Sequence, residues 1–215
     1  MTAPDPEPKF RRRAEARPDE ILDAALTLFE TQGFAATTVE QIARQAGLSK
    51  GAVYLYFPSK DAVLEGLVRR ALTPLTDQAA AMLRAHSGDP RPMLVRLAQL
   101  LRAGLADEHT LAIPKLVIRE AVGKPELAAM YRDAVIDRVL PALVSLLSQG
   151  VDGGFIRPID PEMTVRTILG PILMHLLLAD VFDITPKDGL RLEALIDNHL
   201  SILFAGLAPV SGDTP

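Results

Sequence analysis

Residues 37–60, TTVEQIARQAGLSKGAVYLYFPSK, decide the fold. Thr37 and Thr38 are followed three residues later by Glu40 and Gln41, and either pairing makes a capping box that starts a helix. That helix runs through Val39, Ile42, Ala43 and Ala46 and stops at Gly47. A second short helix begins at Ser49 or Lys50 and is broken by Pro58. Two short helices joined by a tight, glycine-containing turn form a helix-turn-helix. Ala43 has to be small where the helices cross, Gly47 supplies the positive φ of the turn, and Val53 packs back into the angle.

Helical patterning continues on both sides. Upstream, from Pro18, Ile21, Leu22, Ala25, Leu28 and Phe29 fall on one face, and Gly33 is placed to end the run. Downstream, Ser59 caps a helix with a stripe at Val63, Leu64, Leu67, Val68, Ala71 and Leu72, closed by Pro74. From there the pattern predicts helices over about 75–86, 91–106, 110–122, 125–150, 161–181 and 187–206, with no period-two alternation. The expected fold is all-α: an N-terminal three-helix helix-turn-helix domain over 17–63, then a helical domain over 64–208. A basic arm over 1–16 is expected to be disordered, and 209–215 to be a tail.

Composition narrows the function. Of 215 residues, 48% are hydrophobic and 23% charged, enough for a core that needs no staple. The absence of cysteine excludes disulfides, a thiol nucleophile and thiolate metal sites. MTAPDPEPKFRRR lacks the apolar core of a signal peptide. The charge-free run Thr167–Ala179 is shorter than the roughly 20 residues of a bilayer span. A cytoplasmic protein without membrane contact is expected. Net charge is −4, yet Lys9, Arg11, Arg12, Arg13 and Arg17 face only Glu15 in their stretch, so positive charge is local.

Residues 17–68, and above all TTVEQIARQAGLSKGAVYLYFPSKDAVL, resemble the N-terminal domain of TetR/AcrR-type transcriptional regulators. The rest matches that family's effector-binding and dimerisation domain in layout. LVIREAVGKPELAAMYRD and GFIRPIDPEMTVRTILGPI look like members often associated with efflux and stress genes. The resemblance implies a homodimer that binds a short palindromic operator in double-stranded DNA and releases it when a small molecule binds. Position by position, the family's DNA contacts fall on Thr38, Lys50, Gly51, Ala52, Tyr54, Tyr56 and Lys60.

The residues themselves support a DNA-reading surface. In a helix over 50–57, Val53 and Phe57 share the buried face, and Gly51, Ala52 and Leu55 lie opposite with Tyr54 and Tyr56 at the sides. Small residues let a backbone sit deep in a major groove. Lys50 and Lys60, at the two ends, are placed for phosphates, and Thr38 sits at a helix N-terminus that favours an anion. Many relatives carry a hydroxyl where Ala52 stands and a polar or large aromatic residue near Leu55. This helix has no Arg, Asn or Gln, so thymine-methyl contacts from Ala52 and Leu55, with DNA shape, are expected to carry the readout. The arm Lys9–Arg13 is a further candidate for minor-groove or phosphate contact. Tyr54 and Tyr56 have an alternative place beneath the next helix, and Arg44 on the first helix is equally a surface charge.

The second domain should dimerise through the helices 161–181 and 187–206, which carry Ile168, Leu169, Ile172, Leu173, Leu176, Leu177 and Leu192, Leu195, Ile196, Leu200, Leu203. Effector candidates are Met82, Leu116, Arg119, Glu120, Tyr131, Met174 and His175, polar or adaptable residues within apolar helices. An apolar or amphipathic effector suits such a pocket. His175 has a competing reading as a hydrogen-bonded core or interface histidine. A helical enzyme or ligand carrier without DNA binding is the alternative function, and a protein-binding helix-turn-helix the third. Against an enzyme, His86, His109, His175 and His199 show no metal spacing, no Gly-rich phosphate loop occurs, and His86 with Asp89 lies in an expected loop. No catalytic residue, metal or cofactor is expected.

Overall fold

The computed structural model describes residues 9–209. Its helices are α1 (Lys9–Gln32), α2 (Val39–Gln45), α3 (Lys50–Tyr54), α4 (Lys60–Ala85), α5 (Pro90–Leu105), α6 (Glu108–Ala121), α7 (Pro125–Tyr131), α8 (Asp137–Asp152), α9 (Pro161–Asp180) and α10 (Leu192–Leu207). A π-helical turn, Arg132–Ile136, joins α7 to α8. The described residues contain no strand, and the chain is all-α. It forms two compact units, one ending at Val68 and the other beginning at Arg69, so the division falls inside α4.

The first unit packs α1, α2, α3 and the start of α4 around Ile21, Ala25, Phe29, Phe34, Ile42, Val53, Leu64 and Leu67, all essentially inaccessible. The Phe29 and Phe34 rings meet at 4.9 Å between centroids. Both ends of α2 are closed by local bonds. Thr38 N donates to Gln41 Oε1 (2.7 Å) and Gln41 N to Thr38 Oγ1 (3.2 Å), a complete capping box. At the other end Leu48 N donates to Ala43 O (2.8 Å) and Gly47 N to Arg44 O (3.2 Å), a Schellman motif. Gly47 is the left-handed residue at φ +67°, a conformation that costs any side chain.

Two expectations are corrected here. The arm expected to be disordered through residue 16 is helical from Lys9, because arginine, alanine and glutamate are strong helix formers, and α1 continues despite Pro18 in its interior. Residues 1–8, which begin that arm, and 210–215 of the tail lie outside the described residues. The reading helix is also shorter than 50–57. It ends at Tyr54 with Leu55 as C-cap, and Tyr56 N and Phe57 N both donate to Val53 O (3.0 and 2.9 Å). Phe57 then packs on α4 at Gly66, where an added Cβ would lie 2.8 Å from the ring and 3.0 Å from Leu22.

In the second unit α4 does not stop at Pro74 but continues to Ala85, so no separate helix begins at 75. Pro74 is exposed, while Leu72, Thr76, Ala79, Ala80 and Leu83 form one buried stripe along the same helix. That burial outweighs one lost backbone bond. Pro114, Pro141 and Pro171 are likewise inside α6, α8 and α9. Asp89, Asp107 and Asp160 cap α5, α6 and α9 by accepting from Arg91 N, Thr110 N and Met163 N. The last helix begins at Leu192 rather than 187, because Gly189 (φ +83°) and Arg191 (φ +44°) adopt left-handed backbone. Leu83, Met93, Leu94, Leu143, Leu146, Leu147, Ile156, Val165, Ile168, Leu203 and Leu207 form the core. By length and composition alone, α9 and the run Pro125–Asp152 would cross a bilayer, but the core helices of bundles pass the same test, and both contribute to this core.

Candidate nucleic-acid interface

The α2–α3 pair presents its surface as follows. Val53 is fully buried and Phe57 half-buried, which fixes the inner face of the second helix. Gly51, Tyr54, Leu55 and Tyr56 are exposed and Ala52 half-buried. Leu55 is 84% exposed, Tyr54 44% and Tyr56 38%. Leaving so much leucine surface in water forgoes burial worth about 2 kcal/mol, so the Leu55 side chain adds little to the core, while its backbone caps α3. Each tyrosine keeps part of its surface covered and part in solvent. Ser49 caps α3 by accepting from Ala52 N (3.1 Å), which orients the small-residue edge.

Thr38 is exposed at the start of α2, and its own N–H is taken by Gln41. The neighbouring Thr37, the other candidate cap, is buried instead. Its hydroxyl donates to Gly33 O (2.7 Å) and accepts from Gln32 Nε2 (3.0 Å). Lys50 lies beside Glu40: its ammonium pairs with the carboxylate and sits 5.7 Å from the Tyr54 ring centroid. The bond to Lys50 holds the Glu40 carboxyl below its ordinary value, and the same bond raises Lys50. The expected phosphate contact therefore already carries an internal anion. The sequence reading missed Glu40; the signal was available, since a tight turn brings the starts of two short helices together.

Lys60 has partners other than the phosphate expected of it. Its Nζ donates to Phe34 O (2.5 Å), Thr37 O (2.7 Å) and Ala35 O (3.3 Å) and lies 4.4 Å from the Phe34 ring centroid. Arg44 is exposed on α2. A surface depression of about 330 Å³ lies between α1 and α2, lined by Glu20, Asp23, Ala24, Thr27, Gln45 and Ala46.

The effector candidates lie on four helices of the second unit and line no part of that depression. Leu116 is buried core, and Met82 packs against the core cluster. Arg119 reaches from α6 to α9, with Nε 2.6 Å from Asp180 Oδ2 and Nη2 donating to Asp180 O (3.2 Å). Glu120 pairs with Lys124 at 3.9 Å. Burial raises the Tyr131 phenol above its ordinary value. Met174 is 52% exposed, and His175 Nε2 donates to Leu190 O, the hydrogen-bonded state weighed from sequence. His199 Nε2 donates to Ile168 O (3.1 Å) and His86 Nε2 to Asp89 O (2.8 Å). Asp89 caps α5 and pairs with Arg91 at 2.7 Å, which lowers its carboxyl, so this pair is built into a helix start. Among the described residues no three histidine or acidic side chains converge as a metal set.

Comparison with known proteins covers both units. Residues 21–67 match the bacterial regulatory proteins, tetR family, and residues 84–192 match the tetracyclin repressor-like C-terminal domain. The transcriptional repressor KstR2 of Rhodococcus jostii is 28% identical over 194 residues, covering 89% of this chain and 91% of that one. SmeT, the repressor of the Stenotrophomonas maltophilia multidrug efflux pump SmeDEF, has a TM-score of 0.72 at 25% identity, covering 94% and 97%. FadR of Bacillus subtilis, solved with stearoyl-CoA, has a TM-score of 0.71 at 22% identity, covering 88% and 98%, and shows the fold.

Proposed function

Given that the chain belongs to the TetR family of transcriptional regulators, we propose that it is a homodimeric repressor released from a palindromic operator by a small apolar or amphipathic effector. Residues 17–63 are the DNA-binding domain and 64–208 the effector-binding and dimerisation domain. One observation carries the reading: a helix pair closed by its own caps holds Gly51, Tyr54, Leu55 and Tyr56 in solvent, opposite a buried Val53. Thr38 and Lys50 flank that surface for phosphates, and Ala52 and Leu55 meet thymine methyls. Regulation of transcription places the protein in the cytoplasm with the DNA.

Dimerisation is supported by α9 and α10. Ile168, Leu176, Ile196 and Leu203 face the core, but Leu169, Leu173, Met174 and Ile202 are exposed on the same two helices. A second copy would cover that face, as contiguous exposed apolar surface on a soluble chain implies a partner. Two of the three named proteins, KstR2 and SmeT, are repressors, which favours that sign. FadR was solved in complex with stearoyl-CoA, which supports an amphipathic effector for this chain. The effector acts by binding one arrangement of the dimer better than the other. DNA is held when the two reading helices stand about one turn apart, roughly 34–36 Å, and α4, which belongs to both units, carries the change.

Selection of bound duplexes from random DNA tests the reading. A palindrome should emerge, and its affinity should fall steeply with salt. Recovery of no sequence, or salt-independent binding, sinks it. Leu55→Ala should change the preferred bases at one position of each half-site; an unchanged preference removes the thymine-methyl contact.

A further inference from the structure

Lys60 is the first residue of α4, and its side chain does not point to solvent. It crosses back to the turn between α1 and α2. Three carbonyls from that turn, of Phe34, Ala35 and Thr37, accept from its ammonium, and the Phe34 ring lies against it. An ammonium has three donors, and the turn supplies three acceptors and a π face. The turn itself is anchored on the buried Phe34 and on the Thr37 hydroxyl, bonded to Gly33 O and Gln32. Thr37 immediately precedes Thr38, the N-cap of α2. The start of α4 is thus tied through one cation to the residue before the helix-turn-helix begins.

We infer that Lys60 is a positioning residue: it fixes the start of α2 to the start of α4 and so sets where the α2–α3 pair presents its reading surface. The inference rests on the DNA-binding reading above and adds to it a lysine that works on DNA without touching it. The geometry explains why a lysine is needed. Its ammonium is a compact donor of three bonds that suits converging carbonyls, whereas a guanidinium is a planar fork suited to two parallel oxygens. A phosphate contact has the opposite requirement, because arginine serves it at least as well.

Lys60→Met and Lys60→Arg distinguish the two roles. The probe is the duplex that the wild-type protein selects from random DNA, with affinity measured over a series of potassium chloride concentrations. Helicity is checked at the assay temperature, and amide exchange is followed at residues 34–38. Both variants should bind at least about tenfold more weakly, with the salt slope of the wild type, and both should speed exchange at 34–38. Lys60→Arg keeps the charge and the helix start, so it tests the idea even if Lys60→Met fails to fold. Full binding by Lys60→Arg, or a slope reduced by about one in Lys60→Met, would make Lys60 a phosphate contact and overturn the inference. Unchanged exchange at 34–38 would overturn it as well. If the wild type selects no duplex, the DNA-binding reading fails, and the exchange measurement still decides whether Lys60 holds the turn.

Discussion

Each end of the chain carries a helix pair, and the two are finished differently. The α2–α3 connection takes four residues and closes with a Schellman turn and a serine cap, and a capping box starts α2. The α9–α10 connection takes eleven residues, uses left-handed backbone at Asp183 and Arg191, and leaves Val181, Phe182 and Ile184 in water. Apolar surface on the first pair is confined to a short patch, Tyr54 to Tyr56, flanked by lysine and small residues. On the second it runs along the helices themselves. The first pair satisfies its own backbone and needs only a groove to enter. The second leaves apolar side chains exposed along its helices, a surface that suits another apolar surface.

The largest expected effect tests whether that difference is real. Leu173 is 54% exposed on α9, so a charge there costs the isolated chain little. In a symmetric interface Leu173→Glu would bury two carboxylates, and association should weaken by more than about 10²-fold. Sedimentation should show monomer with unchanged helicity, and operator binding should fall with it. A variant that remains dimeric would mean that α9 is not the covered face. Gly66→Ala comes next and strikes the first pair. Alanine is the better helix former by about 1 kcal/mol, yet its methyl meets the Phe57 ring, and overpacking of this kind costs about 1–3 kcal/mol. Urea unfolding should therefore show a net loss of stability. A gain would mean that Phe57 moves aside freely and does not fix the reading helix.

The same contrast governs what could be read from sequence. The two ends of α2 were legible because each follows a local rule: a threonine three residues before a glutamate or glutamine, of which Thr38 with Gln41 is the pair that forms, and a glycine after the last helical turn. Val53 and Phe57 followed from spacing. In the second unit the local rules misled. Pro74 reads as a stop, but the buried stripe from Leu72 to Leu83 carries the helix through. The start of α10 was set by positive φ at Arg191, which arginine does not announce. Of the site, Lys60 was expected at a phosphate, and its three carbonyl acceptors depend on how the start of α4 meets the α1–α2 turn, which charge alone does not show. Arg119 was singled out as a ligand contact, and its tie to Asp180, sixty-one residues away, depends on how α6 meets α9.

The smallest expected effect concerns Glu40, an acid beside the reading helix. Glu40 takes Lys50 as its partner, so a DNA phosphate proposed to meet Lys50 would compete with a carboxylate already in place. The pair is exposed on both sides, and exposed pairs are weak, so displacement is cheap rather than forbidden. Glu40→Gln removes both the competitor and a negative charge close to the phosphates. Operator affinity should rise by about two- to fivefold, and the salt slope should steepen by up to about one as Lys50 becomes fully available for phosphate. The pH dependence has a definite sign. Because Lys50 lowers the carboxyl, Glu40 stays ionised across the neutral range. Its contribution to stability is present above its ordinary value near 4.5 and is lost only as pH falls through the lowered value of the folded state. The gain in affinity should therefore be the same throughout the neutral range. Weaker binding by Glu40→Gln would reverse the assignment, since it would mean that the carboxylate aims Lys50 at the backbone rather than withholding it. The first helix pair would then be preset for DNA by its own charges as well as by its caps.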